Sequence, residues 1–427
     1  AVPLDFRLKG EEIAPILTDA AIKGVIISDL YPELTVFSQV ESISSVIITG
    51  EKGADSFSRY EDVVGDESLS SAVEVDIAEE AEALYLYTSG TTGKPKGVVL
   101  TFSNLDLFPE GMHEVLGTRE EDILGCLLPM SHISGPIMCN EFVLRGSTLF
   151  IFDQLRPDKI LSAVEKHQVT YFHSVPPIFE AILHVPNKER FDVGSLQYVA
   201  MMGTSVPIDL LNVFKKSFPA VTVIQGYGLT ETSPFITLLP LEYAETKIGS
   251  IGRAVPRAEV KLIDNAGEEV PGREIGELIV RGPMLMKCYH NNPEATRERI
   301  KNGWLYTGDL CRKDEDGFYY HVGRKDDMII VGGLNVYPAE VEQVLRSHPL
   351  VQEVGVVGVP DKDRGEIIKA AVVVTPGAQL TKKEIMSYCK ERLANFKIPK
   401  VLEFWDELPR NSTGKIARRL LIIPPSE

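Results

Sequence analysis

Basic residues are scarce relative to acidic ones. The chain has 44 Lys and Arg against 61 Asp and Glu, which gives a formal net charge of −17. Because a protein that binds nucleic acid needs a basic face for the phosphate backbone, nucleic acid is not the expected partner. Residues 327–427 are nearly neutral, with 14 Lys and Arg against 13 Asp and Glu, so the acidic excess lies upstream of Asp327.

Cysteine pairs and long apolar runs are also missing. The five cysteines are odd in number, widely spaced and free of any CxxC pair, which is typical of reduced thiols in a cytoplasmic protein: Cys126, Cys139, Cys288, Cys311 and Cys389. No apolar run approaches a membrane span, and no signal peptide is visible. With 44% hydrophobic residues in 427, the sequence predicts a globular chain of two or three domains.

Two common phosphate-binding motifs are absent. Gly90 is followed by only two residues before Gly93-Lys94, and Pro95 takes the hydroxyl position, so the P-loop pattern fails. The dinucleotide fingerprint fails as well, because the sequence that begins at Gly226, GYGLTE, lacks the third glycine. The chain is therefore expected to be neither a common NTPase nor a dehydrogenase.

A different phosphate loop is present in residues 84–100, LYLYTSGTTGKPKGVVL. A short apolar run predicts a buried strand over 84–87. It is followed by four hydroxyl residues, two before Gly90 and two between Gly90 and Gly93, and then by Lys94 and Lys96. Such a loop offers N–H and O–H donors and positive charge to phosphate oxygens. A polar surface turn of the same composition is the alternative.

Five motifs in register resemble the adenylate-forming superfamily, which includes acyl-CoA synthetases, aryl-CoA ligases, firefly luciferase and peptide-synthetase adenylation domains. They are YTSGTTGKPKG from residue 87, QGYGLTETSP from 225, GWLYTGDL from 303, GRKDDMIIVGGLNVYPAEVE from 323 and LPRNSTGK from 408. The family has several more strands and helices before a segment like the first residues here, so the resemblance also implies a shortened start.

Strand and helix alternate along much of the chain, which predicts an α/β fold. Strands are predicted over 123–128, 148–152, 169–173, 197–201 and 221–224, with helices over 105–115, 137–144, 158–167, 177–183 and 207–218. A β-rich texture follows from residue 246, and a compact α+β unit begins at 327. The prediction is a large N-terminal domain, 1–326, made of parallel-sheet αβα layers (1–245) and a small β-rich subdomain (246–326). A small mobile C-terminal domain, 327–427, follows it.

The resemblance implies a nucleotide site built from the first four motifs. Its phosphate loop would comprise Thr88, Ser89, Gly90, Thr91, Thr92, Gly93 and Lys96. Tyr227 would stack on adenine, Thr230 would contact the α-phosphate, Glu231 would hold Mg²⁺, and Asp309 with Arg324 would bind the ribose. The remaining nucleotide contacts are expected at Gly203, Gln225, Gly226 and Gly228. Taken alone, Glu231 could be a surface acid and Asp309 an ordinary turn residue.

The last two motifs imply a moving C-terminal unit. Lys415 would enter the site and stabilise the adenylation transition state, and Asp326 would be the hinge. Rotation there would replace Lys415 with the loop at Gly332 and Gly333 and open a path for CoA. From their own sequence context, Lys415 could equally be a solvated lysine, and 325–327 an ordinary charged linker.

The acid pocket is expected at His132, Gly135, Met201, Met202 and Gly226. His132 in LPMSHISG resembles a gating side chain, although a core histidine is the alternative for an isolated His. The apolar run that includes Met201 and Met202 suits an alkyl chain better than a charged group, and no aspartate is found for an amino-acid ammonium.

The predicted function is that of an acyl-CoA synthetase that uses ATP with Mg²⁺ and takes CoA as co-substrate. A medium- or long-chain fatty acid is the first choice of substrate, and an aryl acid such as a benzoate or cinnamate is the second. Two rival functions stay open, an acyl-AMP ligase that loads a carrier protein and a nucleotide-binding protein without catalysis. Oligomeric state is left open, with a homodimer as one option.

Overall fold

The computed structural model describes residues 1–50, 57–66, 74–89, 95–410 and 416–422. Its N-terminal part carries two small sheets. Strands β1 to β3 pair in parallel, and β4 and β5 form an antiparallel pair. The elements are α1 Gly10–Asp19, β1 Gly24–Ser28, β2 Ser45–Thr49, β3 Ser58–Arg59, α2 Tyr60–Gly65, β4 Glu82–Ser89 and β5 Pro95–Thr101.

A seven-stranded sheet forms the centre of the molecule. Its elements are α3 Phe102–Leu116, β6 Ile123–Cys126, α4 Ser134–Arg145, β7 Thr148–Ile151, α5 Pro157–His167, β8 Tyr171–Ser174, α6 Pro176–Leu183, β9 Tyr198–Met201, α7 Ile208–Ser217, β10 Thr222–Gly228, β11 Phe235–Leu238 and β12 Arg253–Ala254. The strand order is β12-β11-β10-β9-β8-β6-β7. The strands from β6 to β10 are parallel, whereas β11 and β12 add in antiparallel fashion.

Helices cover both faces of this sheet. Apolar residues of α5, α6 and α7 pack on one face, where Phe172, Val199 and Met201 point. Those of α3 and α4 pack on the other face with Tyr171, Tyr198 and Ala200. Because successive side chains of a strand point to opposite faces, β9 contributes to both layers. This is the αβα arrangement that the alternation predicted.

The β-rich part follows and returns to the earlier sheets. It contains β13 Glu259–Ile263, β14 Gly276–Arg281, β15 Cys288–Tyr289, α8 Pro293–Arg299, β16 Ile300–Lys301, β17 Trp304–Lys313 and β18 Tyr319–Arg324. Strands β13, β14, β16, β17 and β18 form one antiparallel sheet, while β15 pairs with β5. The sheet of β4 thus has three strands and is antiparallel, and β5 was not predicted.

The C-terminal part has a core of its own. Its elements are β19 Ile329–Val331, β20 Leu334–Val336, α9 Pro338–Arg346, β21 Val351–Asp361, β22 Gly365–Val374, α10 Lys382–Arg392, β23 Val401–Phe404 and α11 Arg418–Ile422. One cluster of buried apolar residues runs from Ile329 to Leu402 and joins the sheet to α9 and α10. Within the described ranges, no helix is both long and apolar enough to cross a membrane.

Candidate active site

Asp309 on β17 is a buried carboxylate with three side-chain partners. Arg324 Nη1 lies 2.9 Å and the Tyr227 hydroxyl 2.6 Å from its Oδ2, and His321 Nε2 lies 3.2 Å from its Oδ1. Only 3% of the residue is exposed. Burial acts to raise the pKa of Asp309, but His321, Arg324 and Tyr227 outweigh it and hold the pKa below its usual value. The carboxylate therefore stays ionised.

The backbone around Asp309 is fixed by its neighbours. The Thr307 hydroxyl donates to the Leu278 carbonyl and accepts from the Asp309 N–H at 3.1 Å. Gly308 has φ +69°, a conformation that favours glycine, and its surroundings include the guanidinium groups of Arg299 and Arg324. In the TGD part of the motif, Thr307 thus supplies a hydroxyl, Gly308 a left-handed backbone turn and Asp309 a carboxylate. The hydrogen bonds of Thr307 fix the position of the Asp309 backbone.

Tyr227 belongs to β10, which continues to Gly228. The strand predicted over 221–224 therefore extends four residues further, because Tyr227 and Gly228 still pair with β11 across an irregularity. The Tyr227 ring stacks on His321, with centroids 6.0 Å apart and an interplanar angle of 28°. The His321 imidazole thus packs on one face of the Tyr227 ring, which is the ring predicted to stack on adenine. Asp309 orients the Tyr227 hydroxyl.

A tight turn from Gly228 to Pro234 carries Thr230 and Glu231. The buried Thr232 hydroxyl accepts from the Leu229 N–H at 2.9 Å and donates to the Pro234 carbonyl at 2.6 Å. A Cβ on Gly228 would lie 1.6 Å from that same carbonyl oxygen, so only glycine fits. Thr230 and Glu231 therefore lie on a short 3₁₀ turn, Thr230–Thr232, that is stabilised by the hydrogen bonds of the Thr232 hydroxyl.

Glu231 connects to the phosphate loop through Tyr289. The Tyr289 hydroxyl donates to Glu231 Oε1 at 2.7 Å, and Lys96 Nζ lies 5.4 Å from the centre of the Tyr289 ring. Burial and the Glu231 carboxylate both raise the pKa of Tyr289, which keeps its hydroxyl a donor. The described residues contain no group of three candidate metal ligands. A Mg²⁺ ion here fits Glu231 together with phosphate oxygens, as Mg²⁺ usually binds with nucleotides.

The phosphate loop is described only at its two ends. Thr88 and Ser89 end β4, and Lys96 is near the start of β5, opposite Thr88 in the pairing register. Gly90, Thr91, Thr92 and Gly93 lie outside the described residues. Because β4 belongs to an antiparallel sheet, it lies outside the parallel αβα layers that were predicted for residues 1–245. Strand β5 is linked to Glu231 through β15, which pairs with β5 and supplies Tyr289.

The predicted hinge lies between two ion pairs on opposite sides. Lys325 Nζ lies 2.8 Å from Glu277 Oε2 on β14, and the Lys325 N–H donates to the Gly308 carbonyl. On the other side of Asp326, Asp327 Oδ2 lies 3.4 Å from Arg418 Nε on α11. Arg418 also pairs with Glu342 of α9. The chain is thus held to the β-rich sheet just before Asp326 and to the C-terminal helices just after it.

Gly332 and Gly333 form the tip of the β19–β20 hairpin. Their φ values of +58° and +82° are what a two-residue hairpin turn demands. In the described part of the chain, nothing lies within 4 Å of where a Cβ of either glycine would be. Hairpin geometry therefore accounts for both glycines, and the structure does not bring them against the nucleotide residues. Lys415 lies outside the described residues.

The acid-pocket residues separate into two groups. A narrow cavity lies beneath α3, and its lining is mainly apolar: Met112, Leu116, Tyr171, His173, Tyr198, Ala200, Met202, Ile224, Phe235 and Leu238. Met202 lines this cavity, and a Cβ on Gly226 would contact Met202 and Leu238. The prediction that Met201 belongs to the acid pocket is wrong, because Met201 points to the opposite face of β9 and packs among α5–α7.

His132 and Gly135 flank the start of α4. His132 Nδ1 lies 3.1 Å from the Ser134 hydroxyl, and a Cβ on Gly135 would lie 2.6 Å from the Pro129 carbonyl oxygen. His132 also acts electrostatically on the buried His173, whose pKa is lowered to about 4 by burial first and by His132 second. Gly135 thus fits the close packing of α4 on the preceding loop, and His132 lies near the cavity.

Two residues of the predicted nucleotide set have a structural role in the described chain. Gly203 follows β9 with φ +89°, and Gln225 is buried in β10, where its carbonyl accepts from the Leu239 N–H. Sequence reasoning missed Tyr289, His321 and Thr232. Only Thr232 could have been found from the sequence, since it lies inside the QGYGLTETSP motif. Tyr289 and His321 become neighbours of the site through strand pairing.

The fold and the site together define a nucleotide-dependent enzyme. In this site the ionised carboxylate of Asp309 lies beside the Tyr227 ring, and the Glu231 carboxylate is linked to the phosphate loop through Tyr289. The AMP-binding enzyme family model matches residues 1–290, and the AMP-binding enzyme C-terminal domain matches residues 340–415. The chain belongs to the AMP-binding enzyme family, so the predicted superfamily and the predicted α/β fold are confirmed.

Individual relatives differ in the acid that their names specify. The chain is 38% identical over 354 residues to a long-chain-fatty-acid–CoA ligase of Bacillus subtilis (strain 168), covering 81% of this chain and 62% of the relative. It is 35% identical over 418 residues to a feruloyl-CoA synthase of Amycolatopsis sp, covering 98% of this chain and 82% of the relative.

A solved structure supports the same class. The o-succinylbenzoate CoA synthetase MenE of Bacillus subtilis, in complex with its acyl-adenylate intermediate, is 33% identical and has a TM-score of 0.83. The match covers 99% of this chain and 82% of that one. The same synthetase has also been solved with ATP and a magnesium ion.

Proposed function

We propose that the chain is an ATP-dependent, AMP-forming acyl-CoA synthetase. It would join a carboxylic acid to ATP as an acyl-adenylate with release of diphosphate, and then transfer the acyl group to CoA with release of AMP. The observation that carries the proposal is the pair of engaged carboxylates: Asp309, held ionised beside Tyr227, and Glu231, linked through Tyr289 to Lys96. The CoA-ligase names of the relatives support it.

The geometry supports a nucleotide role for each of these residues. Asp309 would accept a hydrogen bond from a ribose hydroxyl, since Arg324, Tyr227 and His321 leave one of the roughly four acceptor positions of its carboxylate for a ligand. The exposed face of the Tyr227 ring would stack on adenine, with Gly203, Gln225, Gly226 and Gly228 as the backbone around it. Thr230, Lys96 and the loop of residues 88–93 would contact the phosphates. Glu231 would hold Mg²⁺, which neutralises phosphate charge.

The second half-reaction would use a rotation of the unit 327–427 on the unit 1–326. Support comes from the two ion pairs that flank Asp326, because Lys325 is anchored to the β-rich sheet and Asp327 to α11. A change of backbone conformation at Asp326 would leave both anchors in place. Lys415 would then serve adenylation, and the hairpin at Gly332 and Gly333 would serve the thioester step.

For the acid, a medium- or long-chain fatty acid is the first candidate. The cavity beneath α3 is mainly apolar, which suits an alkyl body. His132 and Gly226 would lie near the carboxylate end, with Met202 beside them. An aryl acid is the second candidate, favoured by the rings of Phe235, Tyr171 and Tyr198 in the lining and by the feruloyl and succinylbenzoate names among the relatives.

The proposal is tested by AMP release with ATP, Mg²⁺ and CoA against straight-chain acids from acetate upward, with benzoate and 4-coumarate added. A peak at a medium or long alkyl acid supports the first candidate, and a peak at an aromatic acid supports the second. Diphosphate exchange without CoA-dependent AMP release would favour a carrier-protein ligase. A complete blank despite ATP binding would favour a non-catalytic nucleotide-binding protein.

The two half-reactions are separated with Lys415→Ala. The variant should lose acyl-adenylate formation by ~10²–10³-fold, as expected for removal of one preorganised donor, yet still convert supplied acyl-adenylate to thioester. Lys400→Ala, at another C-terminal lysine, is the matched control and should leave both steps unchanged. Equal loss of both half-reactions in Lys415→Ala would contradict the assignment of Lys415 to adenylation alone.

A further inference from the structure

Two stacked tyrosines close the deep end of the acid cavity. Tyr171 is the first residue of β8 and Tyr198 the first of β9, and their rings lie 4.8 Å apart at an interplanar angle of 12°. Both line the cavity, and they are 1% and 4% exposed. Met202, at the opposite end, lies four residues beyond Tyr198, or roughly 13 Å at about 3.3 Å per residue. The cavity thus runs from the carboxyl edge of the sheet to its amino edge.

The hydroxyl groups of both tyrosines are buried without a hydrogen-bond partner among the described residues. Buried polar atoms are almost always paired, because leaving them unpaired is costly. A third orphan, Glu141 Oε2 on α4, belongs to the same region, since Glu141 acts electrostatically on both tyrosines. Two unpaired hydroxyl groups in the lining of a mainly apolar cavity, with Glu141 Oε2 also unpaired in the same region, point to a missing polar occupant.

We infer that the acid activated by this chain carries a neutral hydrogen-bonding group, such as a hydroxyl, at the end remote from its carboxylate, and that Tyr171 and Tyr198 recognise that group. This rests on the proposed function, since it treats the cavity as the acid pocket. Asp122 and Glu141 act electrostatically on both tyrosines, and His173 also lines the cavity. A second carboxylate at the remote end would be disfavoured by Asp122, whereas a hydroxyl can both donate and accept.

Matched acids that differ only in the remote group test the inference. The pairs are octanoate with 8-hydroxyoctanoate, decanoate with 10-hydroxydecanoate, and cinnamate with 4-hydroxycinnamate. In the pair whose body fits, the hydroxylated acid should have a kcat/KM for CoA-dependent AMP release about tenfold or more above its partner, because a site built for a hydroxyl discriminates against the analogue that lacks it. Equal values in every pair would overturn the inference.

The variants Tyr171→Phe and Tyr198→Phe assign the effect to the two hydroxyls. Each should reduce the preference to less than about threefold, because the hydroxyl that distinguishes the paired acids is removed. Thermal stability should be unchanged or higher, since Phe removes an unpaired buried hydroxyl. Tyr31→Phe is the control, because Tyr31 is a buried tyrosine in another cluster, with its hydroxyl on the Leu8 carbonyl. A preference that survives both test variants would contradict the inference.

A binding measurement separates this inference from the proposed function. The dissociation constants of both members of each pair are measured by calorimetry in the presence of a non-hydrolysable ATP analogue, where no turnover occurs. Tighter binding of the hydroxylated acid without AMP release from any acid would support the recognition and reject the synthetase. AMP release with equal dissociation constants in every pair would do the reverse.

Discussion

At the scale of single residues, the charge of Asp309 is kept inside the protein by Arg324, His321 and Tyr227. We predict that Asp309→Asn raises the KM for ATP by about 10- to 100-fold, since a hydrogen bond to a charged group contributes roughly 1.5–3 kcal/mol. The KM for the acid should change little, because the acid cavity is lined by other residues. Steady-state kinetics with ATP and the acid varied in turn measure both values.

Asp264→Asn is the control for this substitution. Asp264 accepts backbone N–H groups of Ala266 and Glu268 in an exposed turn, and asparagine can do the same. An unchanged KM for ATP in Asp309→Asn, with ATP still bound as tightly, would show that the ribose contact is made elsewhere.

Glu141 should make the stability of the protein depend on pH. Burial raises the pKa of this carboxyl to about 7, against 4.5 for an ordinary glutamate. The native state therefore holds a proton that the unfolded state releases, so the free energy of unfolding should fall as the pH rises from about 4.5 to about 7, by up to about 1.4 kcal/mol per pH unit.

Glu141→Gln should flatten this part of the profile, and its melting temperature should exceed that of the parent at pH 8 by more than at pH 5. Glu315→Gln, at an exposed carboxylate paired with Arg273, should keep the parent slope. Parallel profiles for parent and Glu141→Gln would mean that Glu141 is already ionised at low pH.

Residue roles were predictable from sequence only where a role is local. Asp309, Arg324 and Glu231 were found through motifs, and the structure gives each of them a defined set of partners. Met201 was misplaced although the period of two in a strand would have separated it from Met202. Tyr289 and His321 could not be found, because they reach Glu231 and Asp309 through sheet pairing over 58 and 12 residues.

At the scale of elements, the turn from Gly228 to Pro234 determines where Thr230 and Glu231 point. We predict that Thr232→Val lowers kcat and destabilises the fold by roughly 1–3 kcal/mol, because the Leu229 N–H and the Pro234 carbonyl lose their common partner. Activity assays and denaturant unfolding measure the two effects. Thr232→Ser keeps the hydroxyl and should recover most of the lost activity and stability. If it behaves like the valine variant, the two hydrogen bonds of this hydroxyl are not the cause.

Element types were predicted well where the hydrophobic pattern was periodic. The alternation from α3 to β10 indicated the parallel sheet, since each helix must return the chain to the same edge. Strand β5 was missed because Pro95, Lys96 and Gly97 at its start look like a loop, and only pairing with β4 and β15 makes it a strand. For the same reason the sheet of β4 was placed wrongly.

At the scale of the whole molecule, the two anchors around Asp326 allow a hinge test. Asp326→Pro fixes φ there and should slow the thioester step at least about tenfold more than adenylation, because in the proposed mechanism only the second step needs the rotated unit. Single-turnover formation of acyl-adenylate and its consumption by CoA measure the steps separately. Asp363→Pro, in the exposed turn after β21, is a control for proline in the same unit. Equal slowing of both steps by Asp326→Pro would reject the hinge.

Helix α3 contributes to the cavity but not to the proposed nucleotide site, and this affects how new acid preferences can arise. Met112 and Leu116 of this helix line the proposed acid cavity, whereas the proposed nucleotide residues come from β10, β17, β18 and the phosphate loop. Under the proposed function, substitutions on one helix face would therefore change which acid is accepted and leave the adenylation residues unchanged. A library randomised at those two positions is a direct route from this chain to ligases for other acids.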